Sequence, residues 1–459
     1  MSRAEGERAW FPFGEPGSRA RDRLRPLARK FLLARDPGSA AIQSVVLQLL
    51  TVCANLVTGV VTARLLGAEG RGVYAAATSW PTMLGAVAVA GIVDAILMQI
   101  RRKPQWTLAT VTWAGAAAMA SATVITVIAY LGMPILLGPR HAEAVPLART
   151  ALLLTHVIAS GAIWRYVFSG RGQFLLANLA SFLPHLIHAA AICALALTGR
   201  LTVATAIAGL GVGVIGAQLL LLPFIVKAVR GPWEAARASG TAMLTFALRA
   251  TPADLLAICC DWADRLLLIL LLTPRDLGLY TVAYGFSRAV ALITPDTGLL
   301  LSVLARTDRS EAKQLHDLSL RLCIAALSVA TAVAFVASAP LIQLFYGGGF
   351  LAAATTFKIL VLQAGAARVG NVTAQFYLAC NRPGLLSGFA LINVVVSATL
   401  MLVMTPIYGV VGAALGLLGG TLVRLVLLWT GVPLHLGVAP PRLWPRLSDL
   451  REARVMFKS

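Results

Sequence analysis

The sequence predicts an all-α integral membrane protein of twelve transmembrane helices, arranged as two parallel six-helix repeats. Three observations carry this. The 459 residues are 58% hydrophobic and 13% charged, against about 45–50% and about 25% in soluble domains. Apolar runs long enough to cross a bilayer recur from residue 42 to near the end, which leaves no room for a sizeable water-soluble catalytic domain. Landmarks of the first half also return 206 residues later in the second.

Residues 1–41 read as a basic cytoplasmic tail. Between Arg19 and Arg35 lie seven basic residues, while Leu24, Leu27, Ala28, Phe31 and Leu32 recur at helical spacing. That pattern suits a surface helix on anionic lipid, with a disordered basic tail that only fixes topology as the alternative. The tail is too long and too charged for a signal-peptide n-region, so no cleavage is expected. The first bundle, 42–226, holds spans at 42–63, 73–100, 107–131, 144–169, 174–198 and 201–226. A cytoplasmic connector follows at 227–240, where basic residues accompany Gly231, Pro232 and small side chains. The second bundle, 241–432, holds spans at 241–272, 277–304, 318–346, 351–379, 384–407 and 409–432. Residues 433–459 form a second basic tail. Only a helical bundle satisfies the backbone of such segments in hydrocarbon.

The net charge of +20 would suggest nucleic acid in a soluble chain, but here the cations sit mostly in short links between spans. There they set topology and meet anionic headgroups, so no nucleic-acid partner is expected. With the N-terminus inside, cytoplasmic segments hold 26 basic residues and the outer links five: Arg64, Arg71, Arg140, Arg200 and Arg275. Both termini are therefore expected in the cytoplasm. All six cysteines lie in apolar runs without metal-knuckle or redox spacing, and read as packing residues.

The repeat is visible in two places. LGAEGRGVY at 66–74 aligns with LTPRDLGLY at 272–280, placing Gly72 and Tyr74 on Gly278 and Tyr280, and the same offset carries Pro134 onto Pro340. Six spans per copy is an even number, so both copies enter from the same side as parallel repeats. The interface between bundles then becomes the natural binding site.

The outer links are short and offer few carboxylates, histidines or metal ligands, so an outer-face enzyme lacks its loop. No GxxxxGK[ST] phosphate cradle is present, which leaves an ion or substrate gradient, H⁺ or Na⁺ in the first case, and no bound cofactor. What remains is polar chemistry in the membrane, where a central charge costs about 2.5–3.5 kcal/mol. The seventh span is richest. Arg249, Asp254, Asp261, Asp264 and Arg265 project within an arc of about 160° on one helical face. Asp261 and Arg265 have the favourable order for an i,i+4 pair, leaving Asp264 as a spare carboxylate and Asp254 to extend a relay. Ion coupling and a purely structural network are both open for these acids.

In the first span Gln48, Thr51, Asn55, Thr58 and Thr62 share an arc of about 80°, either lining an aqueous cavity or bonding to neighbouring helices. In the second half Arg288, Lys358, Arg368 and Arg424 make cations outnumber anions. Arginines around a cavity suit a phosphate or diphosphate, whose oxygens guanidinium binds in a bidentate manner. Arg249, Arg288 and Arg368 are the stronger candidates, since Lys358 and Arg424 read as snorkelling to an interface. Asp94 and Arg165, near span ends, suit a gate or interface. His185 and His188 lack a nearby carboxylate and read as part of a packed, kinked helix rather than a metal site. Bending points are expected at Trp80 and Pro81, Pro184, Pro252, Pro295 and Gly347 to Gly349.

The phrases TARLLGAEGRGVYAAATSW (62–80), DRLLLILLLTPRDLGLYTVAYGFSR (264–288), LACNRPG (378–384) and PIYGVVGAALG (406–416) occur in this order. Together they resemble the multidrug, oligosaccharidyl-lipid and polysaccharide flippase superfamily, and within it the polysaccharide flippase branch, over about residues 42–432. The resemblance implies two six-helix bundles around a central cavity that opens alternately to either side. Its implied substrate is an undecaprenyl-diphosphate-linked oligosaccharide, moved to the outer leaflet without covalent change. Membrane lipid and a polysaccharide polymerase or export machinery are the implied partners. A cationic cavity agrees with Arg249, Arg265, Arg288 and Arg368, and Asp264 with Arg265 matches the family's recurrent DR. A drug exporter of the same fold would carry acidic dominance, and a peptidoglycan-precursor flippase commonly has fourteen spans. A membrane polymerase or glycosyltransferase would need a large outer loop.

Overall fold

The computed structural model describes residues 37–229, 233, 236–290, 309–441, 443 and 444. The expected surface helix over 19–35, the middle of the connector, Pro295 with the rest of the eighth span, and most of the C-terminal tail lie outside the described residues. Regular structure among those residues is entirely helical. Helices α1 to α5 are Pro37–Ala88, Ile92–Arg102, Thr107–Leu137, Val145–Ala151 and Leu154–Gly170; α6 to α9 are Phe174–Leu197, Val203–Val229, Ala236–Leu271 and Pro274–Val290. The last four, α10 to α13, are Arg309–Val336, Ser338–Tyr346, Ala353–Ala379 and Pro383–Leu436.

At about 1.5 Å per residue, the 52 residues of α1 and the 54 of α13 would each reach about 80 Å, far beyond a hydrocarbon core of about 30 Å. Each is folded into a hairpin at one glycine, Gly67 (φ 70°, ψ −178°) and Gly409 (φ 57°, ψ −133°). Only glycine occupies that backbone region without strain. Each hairpin therefore supplies two crossings. The first limb of α1 is the first span, and its second limb with α2 is the second. α3, the α4–α5 pair, α6 and α7 complete six, and α8, α9, the α10–α11 pair, α12 and the two limbs of α13 supply the other six. Six helices among the described residues are long and apolar enough by themselves to cross a membrane, and the segment 139–151 with α5, bent by 52°, makes a seventh. Pro81, Pro184 and Pro252 lie inside α1, α6 and α8 without ending them.

The alternation of spans puts Gly67, Gly138, Gly199, Thr273, Gly347 and Gly409 at one end of the molecule and Lys103, Gly172 and Asn381 at the other. The duplication is written in backbone detail. α3 ends at Gly138 (φ 68°, ψ 174°) and α11 at Gly347 (φ 89°, ψ 172°), and a short 3₁₀ turn follows each. α5 and α12 end in the same Schellman cap. Gln173 N–H donates to Phe168 O at 2.8 Å and Gly172 N–H to Ser169 O at 3.1 Å, while Arg382 N–H donates to Tyr377 O and Asn381 N–H to Leu378 O, both at 3.0 Å. The left-handed position is Gly172 (φ 71°) in one copy and Asn381 (φ 58°) in the other. Asparagine is among the few side chains that tolerate it.

The two bundles meet at the Gly67 end along a crossing of α1 with α9. A Cβ on Gly72 would run into the carbonyl of Pro274, and a Cβ on Gly278 into that of Ala68. These contacts exchange under the repeat, so the crossing sits on a pseudo-two-fold axis. Tyr74 and Tyr280, also equivalent, are both buried beside it, with Leu268, Ala283 and Phe286 in the same core. Arg64 reinforces this closure by donating to Phe345 O at 2.7 Å and to Leu344 O. Arg140 donates to Leu271 O, and His141 Nε2 lies 3.1 Å from Leu272 O.

At the Lys103 end the first half of α8 packs on the first bundle. Asp254 accepts the N–H of Gly91 at 2.7 Å, where α1 breaks into α2, and Thr251 donates to Ala90 O at 3.1 Å. Gln99 donates to Ser239 Oγ at 2.9 Å, and Thr110 meets the same hydroxyl at 3.0 Å. Two outcomes follow for thermal unfolding of the purified protein. Gly72→Ala and Gly278→Ala each lower stability by about 1–3 kcal/mol, because the obstructing atoms are backbone and cannot rotate away. Asp254→Ala costs about 1.5–3 kcal/mol, the worth of a hydrogen bond to a charged group, and Asp254→Asn, which keeps an acceptor, costs less.

Candidate functional site

The second half of α8 runs between the bundles and carries Cys260 to Arg265 into open space on both sides. On one side a cavity of about 340 Å³ lies between the second limb of α1, α8 and α9. Its charged lining residues are Arg71 and Arg265, without a carboxylate, and its walls add Trp262, Tyr74, Tyr280 and Tyr284. On the other side a cavity of about 490 Å³ lies within the second bundle, among α8, α9, α12 and both limbs of α13. Asp261 and Asp264 line it with Arg265, Arg288 and Arg424. Trp262, Arg265 and Tyr284 line both cavities. Asp261, Arg265 and Arg288 are solvent-exposed although each lines a wall, so this chamber is open rather than sealed.

Arg265 is held by aromatic rings. Its guanidinium lies 4.6 Å from the Trp262 ring centroid and 5.7 Å from that of Tyr284. Arg288 also packs on Tyr284, 4.9 Å from the ring centroid, and donates to its hydroxyl at 2.5 Å. A stacked guanidinium keeps its donor edge free for an anion. Asp264 accepts the backbone N–H of Arg265 at 2.8 Å. Asp261 and Arg265 form no ion pair with each other.

The other sequence-selected residues are dispersed. Arg249 is exposed on the first half of α8 and lines neither cavity. Asp254 is committed to Gly91, one helical stretch away from Asp261. Arg368 lines neither cavity and is near enough to Cys323 of α10 to act on it electrostatically, while Gln363, Ala367 and Asn371 form the cavity-facing stripe of α12. In the first span Gln48 is exposed outside both cavities, while Asn55 Oδ1 meets His185 Nδ1 at 3.0 Å across to α6. Thr51, Thr58 and Thr62 bond carbonyls of their own helix. His188 is buried against the Tyr74 hydroxyl at 3.3 Å. Lys358 packs over the Phe335 ring. No group of three or more His, Cys, Asp or Glu side chains suited to a metal occurs among the described residues.

Three features escaped the sequence. Arg71 falls in a stretch that positive-inside counting gives to an outer link, yet it lies inside α1, over Tyr74 at 5.3 Å, with its Nε unpartnered. Arg424, expected to snorkel, lines the second cavity and donates to Asn371 Oδ1 at 3.3 Å. The amide and hydroxyl wall of Gln363, Asn371, Asn393, Ser397 and Thr421 is legible only in part, as Asn393 and Ser397 four residues apart and Gln363 and Asn371 eight apart on their helical faces.

Solved structures share this architecture. The lipid II flippase MurJ in its inward closed conformation superposes with a TM-score of 0.71 at 14% identity, over 91% of this chain and 92% of that one. An inward-facing multidrug resistance MATE family transporter of the MOP superfamily gives 0.66 at 14% identity, over 84% and 94%. An outward-facing one gives 0.55 at 14%, over 88% and 96%. No curated protein matches the chain in sequence. The family model described as polysaccharide biosynthesis protein matches residues 40–295, more than half the chain and both sides of the α1–α9 crossing. This chain is a multi-pass membrane protein that belongs to the polysaccharide biosynthesis protein family and has the fold of the MOP exporter superfamily.

Proposed function

We propose that the protein flips an undecaprenyl-diphosphate-linked oligosaccharide from the inner to the outer leaflet of a bacterial cytoplasmic membrane, with both termini in the cytoplasm. The observation that carries this is the pair Arg71 and Arg265 in a cavity between the bundles that no carboxylate lines. Two permanently charged, aromatic-backed guanidinium groups suit a diphosphate, which presents bidentate oxygens and two negative charges. An organic cation would find neither a counter-charge nor relief from repulsion there. The reaction moves a molecule and breaks no bond. What the chain must supply is a wet passage for phosphate and sugar, with the polyprenyl tail left in lipid.

In this reading closure at the Gly67 end, by the α1–α9 crossing and Arg64, Arg140 and His141, belongs to a state shut toward the outside. Opening there requires the crossing to part. Coupling to H⁺ or Na⁺ is assigned to Asp264 with Asp261, beside the arginines whose charge they modulate; Asp254, held by Gly91, takes a supporting role between bundles. Membrane lipid and a polymerase or export machinery that takes the delivered unit are the partners.

A strain lacking the protein should accumulate lipid-linked repeat units on the cytoplasmic side, and normal outer-face display in that strain would sink the reading. In proteoliposomes, Arg71→Ala and Arg265→Ala each slow translocation by about 10- to 100-fold, the worth of a charge-assisted contact of about 1.5–3 kcal/mol. Lysine at either position restores it only in part, lacking the fork geometry. Asp264→Asn removes the dependence of translocation on the ion gradient; an unchanged dependence counts against coupling at this residue.

A further inference from the structure

The cavity within the second bundle differs in kind from the one between bundles. Without the shared Arg265, its charges balance, Asp261 and Asp264 against Arg288 and Arg424. The remaining polar lining is neutral, made of amides and hydroxyls from α12 and both limbs of α13. Some of these satisfy one another: Gln363 donates to Thr421 Oγ1 at 2.9 Å, and Thr421 to Leu417 O at 2.9 Å. Others have no protein partner, namely Asn393 Oδ1, Ser397 Oγ and Arg424 Nε, although all three atoms are buried. Ser397 is 4% exposed.

Leaving a buried polar atom unpaired costs stability. Ser397 Oγ is turned into the seam of the α13 hairpin, where a Cβ on Gly420 would meet it. Asn393 Oδ1 and Arg424 Nε are left as the unpaired atoms of cavity-lining residues that a ligand's hydrogen-bonding groups would satisfy. The wall is also made rigidly. Asn393 and Ser397 are four residues apart, on one face of the first limb of α13. Glycine at 416, 419 and 420 lets the second limb press against Met401, Leu400 and Ser397, where a Cβ would collide. The hairpin at Gly409 therefore fixes Asn393 and Ser397 opposite Thr421 and Arg424. A volume of about 490 Å³ falls in the range of small-ligand sites, about 300–1,000 Å³.

We propose that this second cavity is a carbohydrate subsite that reads an uncharged sugar, Asn393 Oδ1 accepting from its hydroxyls and Arg424 donating to them. It rests on the flippase reading in one respect only, that the diphosphate lies at Arg71 and Arg265. Those two residues and the sugar wall share Arg265, Trp262 and Tyr284 as their common border, so a sugar attached directly to the diphosphate passes from one cavity into the other across these rings. A polyhydroxyl ring needs donors and acceptors in similar number and no net charge, and the wall offers both. An anionic ligand would gain less here than between the bundles, because Asp261 and Asp264 offset two of the three guanidinium groups.

The test uses the full-length protein in lipid nanodiscs and two probes, undecaprenyl diphosphate and undecaprenyl diphosphate bearing one neutral hexose, with binding read by titration. The native protein is expected to bind the hexose-bearing lipid more tightly. Asn393→Ala weakens that lipid by about fivefold, the loss of one ordinary hydrogen bond, and leaves the bare lipid unchanged, which also reports that the variant is folded. Equal weakening of both lipids, or of neither, overturns the subsite while leaving the diphosphate assignment standing. If the native protein binds neither lipid, the flippase reading falls and the subsite with it.

Discussion

Two backbones touch where Gly72 meets the Pro274 carbonyl and Gly278 meets that of Ala68, and much of the molecule is arranged around that contact. Helices approach this closely only when neither carries a Cβ at the crossing, as small residues allow in membrane packing generally. The contact brings the second limb of α1 against α9, which sets Tyr74 and Tyr280 in one core and leaves α8 to pass alongside. The space between these three helices is the cavity that Arg71 and Arg265 enter. A larger side chain at either glycine would separate the bundles at the place where the cavity begins.

The coarse architecture was legible because a bilayer imposes it. Runs of about 20 apolar residues have one stable outcome in hydrocarbon, so the described parts of the expected spans are helical apart from short breaks such as 89–91 and 152–153. The 206-residue offset was legible for a similar reason, since Gly72 and Gly278 are irreplaceable. The finer symmetry was not. Gly172 and Asn381 differ in letter while sharing a left-handed backbone, and Gly138 and Gly347 sit at a slightly longer offset than the landmarks upstream. Hairpins at Gly67 and Gly409 look in sequence like any other glycine in an apolar stretch.

The site was legible in composition more than in place. A period of about 3.6 residues tells which side chains share a helical face, but not which neighbour that face meets. Thus Arg265 and Arg288 of the selected arginines line a cavity, whereas Arg368 and Arg249 line neither. The same limit explains Arg71 and Arg424. Counting charges in links assigned the first to solvent, and the apolar surroundings of the second suggested an interface. Both conclusions depended on how far the helix extends, which is fixed by tertiary packing.

The course of α8 has a mechanical consequence. Its first half is clamped to α2 and α3 by Ser239, Thr251 and Asp254, and its second half forms a wall of the opposite lobe from Cys260 onward. A rigid rod attached to two bodies forbids their relative rotation. Any such rotation must then be absorbed as torsion over the turn and a half from Asp254 to Cys260 and over the turn ahead of Pro252, which lacks the N–H that would bond the carbonyl four residues earlier. One helix would thus act as a torsion bar, converting displacement of the lobes into a twist of the segment that presents Asp261, Asp264 and Arg265.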